Sequence, residues 1–355
     1  MELVVRLLWE FYIYYFQKEG DIMSIKRIGK QTVKLANPPS IIGTASIVGP
    51  KEGDGPLKDY FDLILEDDMW GQESFEKAEA RIQEEAIKLA ISNANLSPNE
   101  IEYLFSGDLL NQIISSSYTA RQLEIPYFGL YGACSTMTES ISLGAMIIDG
   151  GFASNVVCAT SSHFSSAERQ YRFPLEYGAQ RPFSSQWTVT GAGATVLSST
   201  GNGPYITYIT TGKIKDFGVI DVNNMGGAMA PAAIDTISQH FKDTGYNPND
   251  YDLIITGDLA LVGKKILLEL MKKEGYDLTE NYSDCGIKIF DGVAQDTHAG
   301  GSGCGCAAVV LNGYIYKEMV KGNLNRVLLI ATGALHSPIS TLQGESIPGI
   351  AHAVT

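Results

Sequence analysis

A cysteine set among small residues is the strongest candidate for chemistry in this chain. Cys134 lies within residues 132–136, Gly-Ala-Cys-Ser-Thr, between an apolar run at 125–131 and a helical pattern at 137–148. A strand, a tight turn and a helix in this order place the sulfur at a helix N-terminus, where unpaired N–H groups and the helix dipole favour a thiolate. The pattern is typical of a presented nucleophile. A cysteine packed as a small buried hydrophobe would give the same letters, so both interpretations stay open.

Two histidines and an aspartate are candidate partners of this cysteine. His298 lies in a Gly-rich run at 297–303 that precedes a helical pattern, and Asp258 and His336 follow predicted strands. A cysteine beside a histidine is the minimal activated nucleophile, because the imidazole can take the proton or stabilise the thiolate. The glycine backbone could also donate N–H groups to an anion. The structural alternatives are close packing of the glycines, a histidine held by the fold, and an aspartate that ends a strand.

A basic and aromatic segment after His163 could recognise a flat, carboxylated ligand. Its members are Arg169, Tyr171, Arg172, Phe173, Tyr177 and Arg181. Guanidinium groups suit such a ligand because they bind carboxylates through two parallel hydrogen bonds and stack on rings. The alternative is that the arginines pair with Glu168 and Glu176 on a solvated loop.

Composition and charge exclude several classes of function. With 355 residues, 45% hydrophobic and 19% charged, the chain is typical of soluble globular proteins. A net charge of -14 without a basic cluster argues against a nucleic-acid partner. The five cysteines are odd in number and scattered, which argues against a disulfide framework and favours a reducing compartment. Cys304 and Cys306 are too closely spaced for the usual zinc pair, so no metal is expected.

Residues 1–23 form an aromatic leader. Residues 3–16 are almost wholly apolar or aromatic, with Arg6 and Glu10 as the exceptions. This stretch is shorter than the about 20 residues that span a bilayer, and no small-residue cleavage site follows it. We expect translation to start at Met23, and interfacial anchoring of the leader is the alternative.

From residue 40 onward, strand and helix patterns alternate. Strands are predicted at 41–48, 101–110, 155–160, 205–211 and 326–332, and helices at 73–95, 111–123, 232–244 and 262–275, with another helix from the Gly-rich run to 321. Long strands joined by helices predict a sheet that is covered on both faces. The C-terminal tail carries no clear pattern.

The second half repeats the order of the first, and the repeat is visible in the letters. Residues 105–109, Phe-Ser-Gly-Asp-Leu, recur 150 residues later as Ile-Thr-Gly-Asp-Leu at 255–259. Residues 156–160 recur at 328–332, and each copy precedes a histidine. We therefore predict two related halves, 24–203 and 204–355. In such a duplication the starts of equivalent helices face each other, which would bring Cys134 towards His298.

These motifs resemble the thiolase and ketoacyl synthase superfamily from about residue 24 to the end. The Ala-Cys-Ser turn at 133–135 matches its acyl-accepting cysteine, and Arg-Pro-Phe at 181–183 with Gly-Ala-Gly-Ala at 191–194 matches a second motif. The run at 297–303 matches the later Gly-His-x-x-Gly-Ala-x-Gly motif. The resemblance implies an α/β fold of two pseudo-symmetric halves in an αβαβα arrangement, and a homodimer.

The departures from this pattern concern the catalytic groups. Condensing enzymes carry a catalytic histidine in a His-Gly-Thr loop, where this chain has Gly-Asp-Leu at 257–259. Asp258 cannot donate a proton to a thioester oxyanion unless its pKa is strongly raised, and its charge would repel the oxyanion. The C-terminal Gly-Phe-Gly-Gly loop is replaced by residues 333–338. The resemblance therefore implies the fold, and these replacements argue against decarboxylative condensation.

This combination resembles the stage V sporulation protein AD family of endospore formers. The resemblance implies a non-catalytic protein that binds dipicolinic acid, with or without calcium, and helps to move it into the forespore with other stage V sporulation A proteins at the membrane. It implies a place at the inner spore membrane and no cofactor. The expected ligand-binding residues are Cys134, Arg172, Asp258, His298 and His336.

Two other functions stay open. The first is an acyl-transferring enzyme with Cys134 as nucleophile, His298 as its partner and His336 in place of the missing histidine. The second is a scaffold for membrane partners that binds no ligand.

Overall fold

The alternation of apolar strands and amphipathic helices gives two sheets, described here by a computed structural model that covers residues 26–171 and 181–355. The leader and Arg172 lie outside these described residues. The strands are β1 (Thr32–Lys34), β2 (Ser40–Val48), β3 (Leu63–Ile64), β4 (Tyr103–Gly107), β5 (Tyr127–Gly129), β6 (Asn155–Ser162), β7 (Trp187–Thr188), β8 (Gly191–Ser198), β9 (Tyr208–Thr210), β10 (Leu253–Thr256), β11 (Tyr282–Asp284), β12 (Gly301–Ser302), β13 (Val327–Ala334) and β14 (Gly349–Val354).

The helices connect these strands. They are α1 (Pro50–Gly53), α2 (Phe75–Asn93), α3 (Ile114–Leu123), α4 (Thr136–Asp149), α5 (Phe164–Tyr171), α6 (Met225–Thr244), α7 (Ala260–Lys273), α8 (Cys285–Ile289), α9 (Cys304–Val309), α10 (Tyr316–Val320) and α11 (Pro338–Leu342). A π-helical segment, Val310–Ile315, joins α9 to α10. Short 3₁₀ turns occur at Lys58–Tyr60, Pro98–Glu100, Asn111–Ile113 and Pro248–Asp250.

The two six-stranded sheets share the connectivity of five of their strands and differ in the sixth. One has the order β3-β2-β8-β6-β4-β5 and the other β1-β9-β14-β13-β10-β11. In each, one strand pairs in parallel with two neighbours, β4 with β5 and β6, and β10 with β11 and β13. The repeated Gly107 ends β4, and Gly257 directly follows the equivalent strand β10. β1 comes from the N-terminal part of the chain but pairs with β9 of the second sheet.

The helices form three layers around these sheets. Helices α2 and α3 cover the outer face of the first sheet, and α6 and α7 cover that of the second. Helix α4 lies between the sheets and contacts strands of both, and α9 packs beside it on β6 and β8. A Cβ on Gly193 would lie 2.5 Å from the backbone of Ala308, so glycine permits this close approach. The predicted fold class, two pseudo-symmetric α/β halves in an αβαβα arrangement, is confirmed.

Two element predictions are wrong in instructive ways. Helix α6 begins at Met225 rather than at residue 232, because Asn224 caps its N-terminus and Pro231 is accommodated inside it. The tail contributes β14, which lies between β13 and β9. Its sequence, Gly-Ile-Ala-His-Ala-Val, contains small residues that give little strand signal, although all but His352 are buried.

Three further findings concern the cysteines, metal-ligating side chains and long apolar helices. All five cysteines are free and buried, so they form no disulfide framework. The described part of the chain holds no group of three or more His, Cys, Asp or Glu side chains placed to bind a metal ion. Nor does any helix in it have the length and hydropathy needed to cross a membrane.

Candidate functional site

Cys134 occupies a tight turn between β5 and α4. Ala133 has a φ of +49°, a left-handed conformation that is strained for a residue with a Cβ and is typical of functional turns. The hydroxyl of Ser135 donates to the carbonyl of Gly132 at 2.7 Å, and that of Thr136 donates to the carbonyl of Ala133 at 2.6 Å. The small polar residues around Cys134 therefore close the turn themselves. The side chain of Cys134 lies just before the first turn of α4, as the sequence predicts.

The thiol of Cys134 is not poised to ionise. It is buried, and burial together with the charge of the neighbouring Asp258 carboxylate raises the pKa of the thiol well above its ordinary value. The backbone N–H of Gly303 has the opposite, smaller effect on this pKa. The expectation that the helix N-terminus would stabilise a thiolate is therefore wrong. The helix dipole is outweighed by desolvation and by a negative neighbour.

Asp258 is held in a cradle of donors. Its Oδ1 accepts from the hydroxyl of Thr332 at 2.7 Å, and its Oδ2 accepts from the hydroxyl of Ser302 at 3.1 Å and the N–H of Gly303 at 3.0 Å. Complete burial raises the pKa of the Asp258 carboxyl, and these hydrogen bonds oppose the rise. The cradle joins β10, β12 and β13, so Asp258 does more than end a strand.

A second buried carboxylate positions the loop that carries Asp258. Asp284 accepts the backbone N–H groups of Leu259 at 2.9 Å and Ala260 at 3.0 Å. The side chain of Gln186 donates to the carbonyl of Asp258 at 2.6 Å. Burial raises the pKa of Asp284 to about 7. The loop is thus fixed from both sides.

A cavity of about 30 Å³ opens on the sulfur of Cys134. Its walls are Leu109, Tyr131, Ala133, Cys134, Ala167, Tyr171, Thr188, Met225, Ser302, Ala334 and His336. The hydroxyls of Tyr131 and Tyr171 lie 2.9 Å apart, and the ring centroids of Tyr171 and His336 are 5.0 Å apart. A water molecule takes up about 30 Å³ of the liquid, so the cavity has room for about one. Tyr171 and His336 form a closed aromatic pair on its wall.

His298 does not face Cys134. Its Nδ1 is 2.8 Å from the carbonyl of Pro182, its Nε2 is 3.1 Å from Oδ1 of Asp296, and it lines a separate surface hollow of about 470 Å³ with Phe183. The predicted juxtaposition is therefore wrong, because helix α9 begins six residues after His298. The residues of the Gly-rich run that reach the Cys134 site are Ser302 and Gly303.

The described arginines of the basic segment are engaged elsewhere. Arg169 forms an ion pair with Glu76, and Arg181 forms one with Asp296 at 2.8 Å. These pairs support the solvated-loop alternative for both side chains, although their partners differ from the predicted Glu168 and Glu176.

The structure therefore brings Cys134, Asp258 and His336 together. Sequence reasoning missed the wall residue Tyr131 and the cradle residues Ser302 and Thr332, whereas Tyr171 belongs to the basic and aromatic segment that the sequence indicates. Thr332 carried one signal, because it ends a repeated strand segment whose first copy ends at Thr160. With a neutral thiol beside a buried carboxyl, the site does not present the thiolate that a cysteine nucleophile requires.

Comparison with known proteins agrees with this geometry. The structure resembles 3-oxoacyl-[acyl-carrier-protein] synthase III from Aquifex aeolicus VF5, with a TM-score of 0.55 and 16% identity over 89% of this chain and 100% of that one. It also resembles a variant of OleA from Xanthomonas campestris, with a TM-score of 0.60 and 15% identity over 91% and 100% of the two chains. At these identities the likeness shows the fold alone, which is thiolase-like.

Sequence comparison is more specific. The stage V sporulation protein AD of Bacillus subtilis (strain 168) is 46% identical over 330 residues, which cover 93% of this chain and 97% of that protein. The sequence model of the family Stage V sporulation protein AD matches residues 29–355. Because both the family model and this relative match over most of its length, the chain belongs to the stage V sporulation protein AD family of sporulation proteins.

Proposed function

We propose that the protein binds dipicolinic acid in the cleft around Cys134 and takes part in its uptake into the forespore. The observation that carries the proposal is the position of buried Cys134 beside the buried carboxyl of Asp258, which raises the pKa of the thiol. The thiolase-like site thus keeps its cysteine, but as a neutral thiol, which is a poor nucleophile. A cleft of this kind can still bind a ligand.

The walls of the cleft suit a flat, polar aromatic ligand. Dipicolinate is a planar pyridine with two carboxylates, and the rings of Tyr171 and His336 offer faces on which such a ring can stack. The hydroxyls of Tyr131 and Thr188 line the cavity, and each would exchange its present partner, Tyr171 or Glu168, to donate a hydrogen bond to the ligand's oxygens. Because the cavity holds about one water, the ligand enters only when Tyr171 and His336 separate. Binding is therefore coupled to the opening of this pair.

Charge favours a ligand that brings its own cation. Among the described residues that line the cavity, His336 is the one side chain able to carry a positive charge, and Asp258 lies directly behind Cys134. A free dianion would be desolvated next to a carboxyl group, which is costly without a paired cation. Calcium binds carboxylate oxygens, and its chelate with dipicolinate is neutral. We expect calcium to raise the affinity.

Calorimetric titration of the full chain with dipicolinate, with and without equimolar calcium, tests the proposal. The expected result is saturable binding that calcium strengthens and that His336→Ala weakens at least tenfold. His298→Ala is the matched control, since His298 lies in a separate hollow, and it leaves the affinity unchanged. Absence of saturable binding, or equal losses in both histidine variants, would remove the cleft as the ligand site.

The proposed uptake requires partners. We propose that the protein works with other stage V sporulation A proteins at the inner spore membrane, as a peripheral component, and that it forms a homodimer. Strand β5 is at the edge of its sheet and Phe128 on it is half exposed, which leaves backbone groups free for pairing with a second copy. Light scattering of the purified protein tests the dimer. Co-purification with those membrane proteins from sporulating cells tests the complex.

A further inference from the structure

A second and larger cavity, of about 720 Å³, lies between the sheets at the end away from Cys134. It is lined by Val327, the first residue of β13, whereas Ala334, the last residue of that strand, lines the Cys134 cavity. Its wall also includes Ile141, seven residues after Cys134 and about two turns further along α4. The two cavities are therefore separate. The dipicolinate proposal makes no use of the larger one, whose volume is within the usual range for ligand sites.

The interior of this cavity is apolar. Its wall residues there are Leu35, Ile41, Leu311, Ile315, Leu329 and Val354. Leu311 and Ile315 belong to the π-helical segment between α9 and α10. Such segments are rare and occur frequently at functional sites. The interior of this cavity therefore suits an apolar group such as an alkyl chain.

The polar groups of the wall include two cations next to two phenols. Lys34 Nζ is 5.7 Å from the ring centroid of Tyr208, and the guanidinium of Arg326 is 4.9 Å from that of Tyr246. The two phenol hydroxyls are 3.3 Å apart, which joins the four side chains into one cluster. Asp252 accepts the backbone N–H of Arg326. In the part of the chain that the structure describes, neither cation forms an ion pair with a carboxylate.

We propose that this cavity binds an amphipathic anion, with an alkyl chain in the apolar interior and a carboxylate or phosphate at Lys34 and Arg326. The two cations and the phenols supply donors to one head group, and the chain displaces water from the apolar wall. The proposal stands independently of dipicolinate binding, because the two cavities share no wall residue.

Titration of the full chain with decanoate, decyl phosphate and neutral decanol tests this assignment. We expect one equivalent of an anion to bind at least tenfold more tightly than decanol. The anion that binds identifies the head group. Combined Lys34→Gln and Arg326→Gln substitutions should weaken the anion at least tenfold and leave decanol unchanged. Lys272→Gln, at an exposed site away from this wall, is the matched control.

Two further variants keep the test specific. Val320, which is 61% exposed on the cavity wall, can be replaced by tryptophan to narrow the entrance, and this change should reduce binding of all three probes. His336→Ala, in the other cavity, should not affect them. No saturable anion binding by the wild type, or anion binding that survives both the double substitution and Val320→Trp in folded protein, would overturn the assignment.

Discussion

Cys134 and Asp258 are neighbours in the site, and burial together with the carboxyl of Asp258 raises the pKa of the Cys134 thiol. An activated cysteine has a cation or a base beside it, which lowers the pKa of the thiol. Here the neighbour is a carboxyl group in a buried cradle, which raises that pKa. The same fold position thus supports a stable thiol where a catalytic site needs a thiolate.

The first prediction concerns Asp258→Asn, which keeps the shape of the side chain and removes its charge. We expect the pKa of the Cys134 thiol to fall and its alkylation by iodoacetamide at pH 8 to become on the order of tenfold faster, since one pKa unit is a tenfold change in thiolate. Peptide mass spectrometry of Cys134 over time measures the rate. Asp296→Asn, at an exposed carboxylate, is the control. Equal rates in the wild type and Asp258→Asn would show that Asp258 does not hold the thiol in its neutral form.

The second prediction separates binding from acyl transfer. Because burial and Asp258 keep the thiol of Cys134 neutral and His298 lies in a separate hollow, we expect no acyl group on Cys134 after incubation of the wild type with an acyl-thioester at pH 7. Intact-protein mass spectrometry measures the adduct, with Cys134→Ala as the comparison. An acyl adduct that the wild type forms and Cys134→Ala does not would favour the acyl-transferring enzyme.

More of the fold than of the candidate site could be predicted from the sequence. The recurrence of Gly107 as Gly257 reports the same local position in two strands, so repeated letters reveal the paired sheets. The site depends on which residue of the Gly-rich run reaches Cys134, and this is fixed by where α9 begins. That start is set by Gly303, whose φ of +103° only glycine adopts readily. The chemistry of its side chain makes His298 the obvious candidate in this run, but Ser302 and Gly303 are the residues that contact Asp258.

The hydrogen-bond donors around Asp258 could not be predicted from the sequence either. Ser302 and Thr332 are 30 positions apart, on β12 and β13, and both donate to the carboxylate of Asp258. A serine or threonine in a sequence gives no sign of whether its hydroxyl binds a buried carboxylate or lies on the protein surface. Their role follows from burial, which makes each unpaired polar atom costly and so forces them onto the carboxylate.

The third prediction concerns the contact that joins β13 to the Cys134 turn. A Cβ on Gly333 would lie 2.2 Å from the carbonyl oxygen of Gly132, a backbone atom that cannot move aside as the end of a flexible side chain could. We expect Gly333→Ala to displace the turn, to lower the free energy of unfolding by about 1–3 kcal/mol, and to weaken dipicolinate binding. Urea unfolding and calorimetry measure the two effects. Gly313→Ala is the control, since its nearest contact would be 3.1 Å away, and losses as large in this variant would refute a specific role for the Gly333 contact.

The last prediction uses a carboxyl group buried away from the site. Glu52 Oε1 accepts the N–H of Thr190 at 3.0 Å, and complete burial raises the pKa of Glu52 to about 8. The folded state therefore holds a proton that the unfolded state loses near pH 4.5, so the free energy of unfolding falls as the pH rises towards 8. Glu52→Gln is neutral at every pH and should gain on the order of 3 kcal/mol relative to the wild type between pH 5 and pH 8. Urea unfolding at both pH values measures the difference, and exposed Glu73→Gln should show none. Parallel pH profiles for the wild type and Glu52→Gln would mean that Glu52 does not carry this proton, because no other group differs between the two proteins.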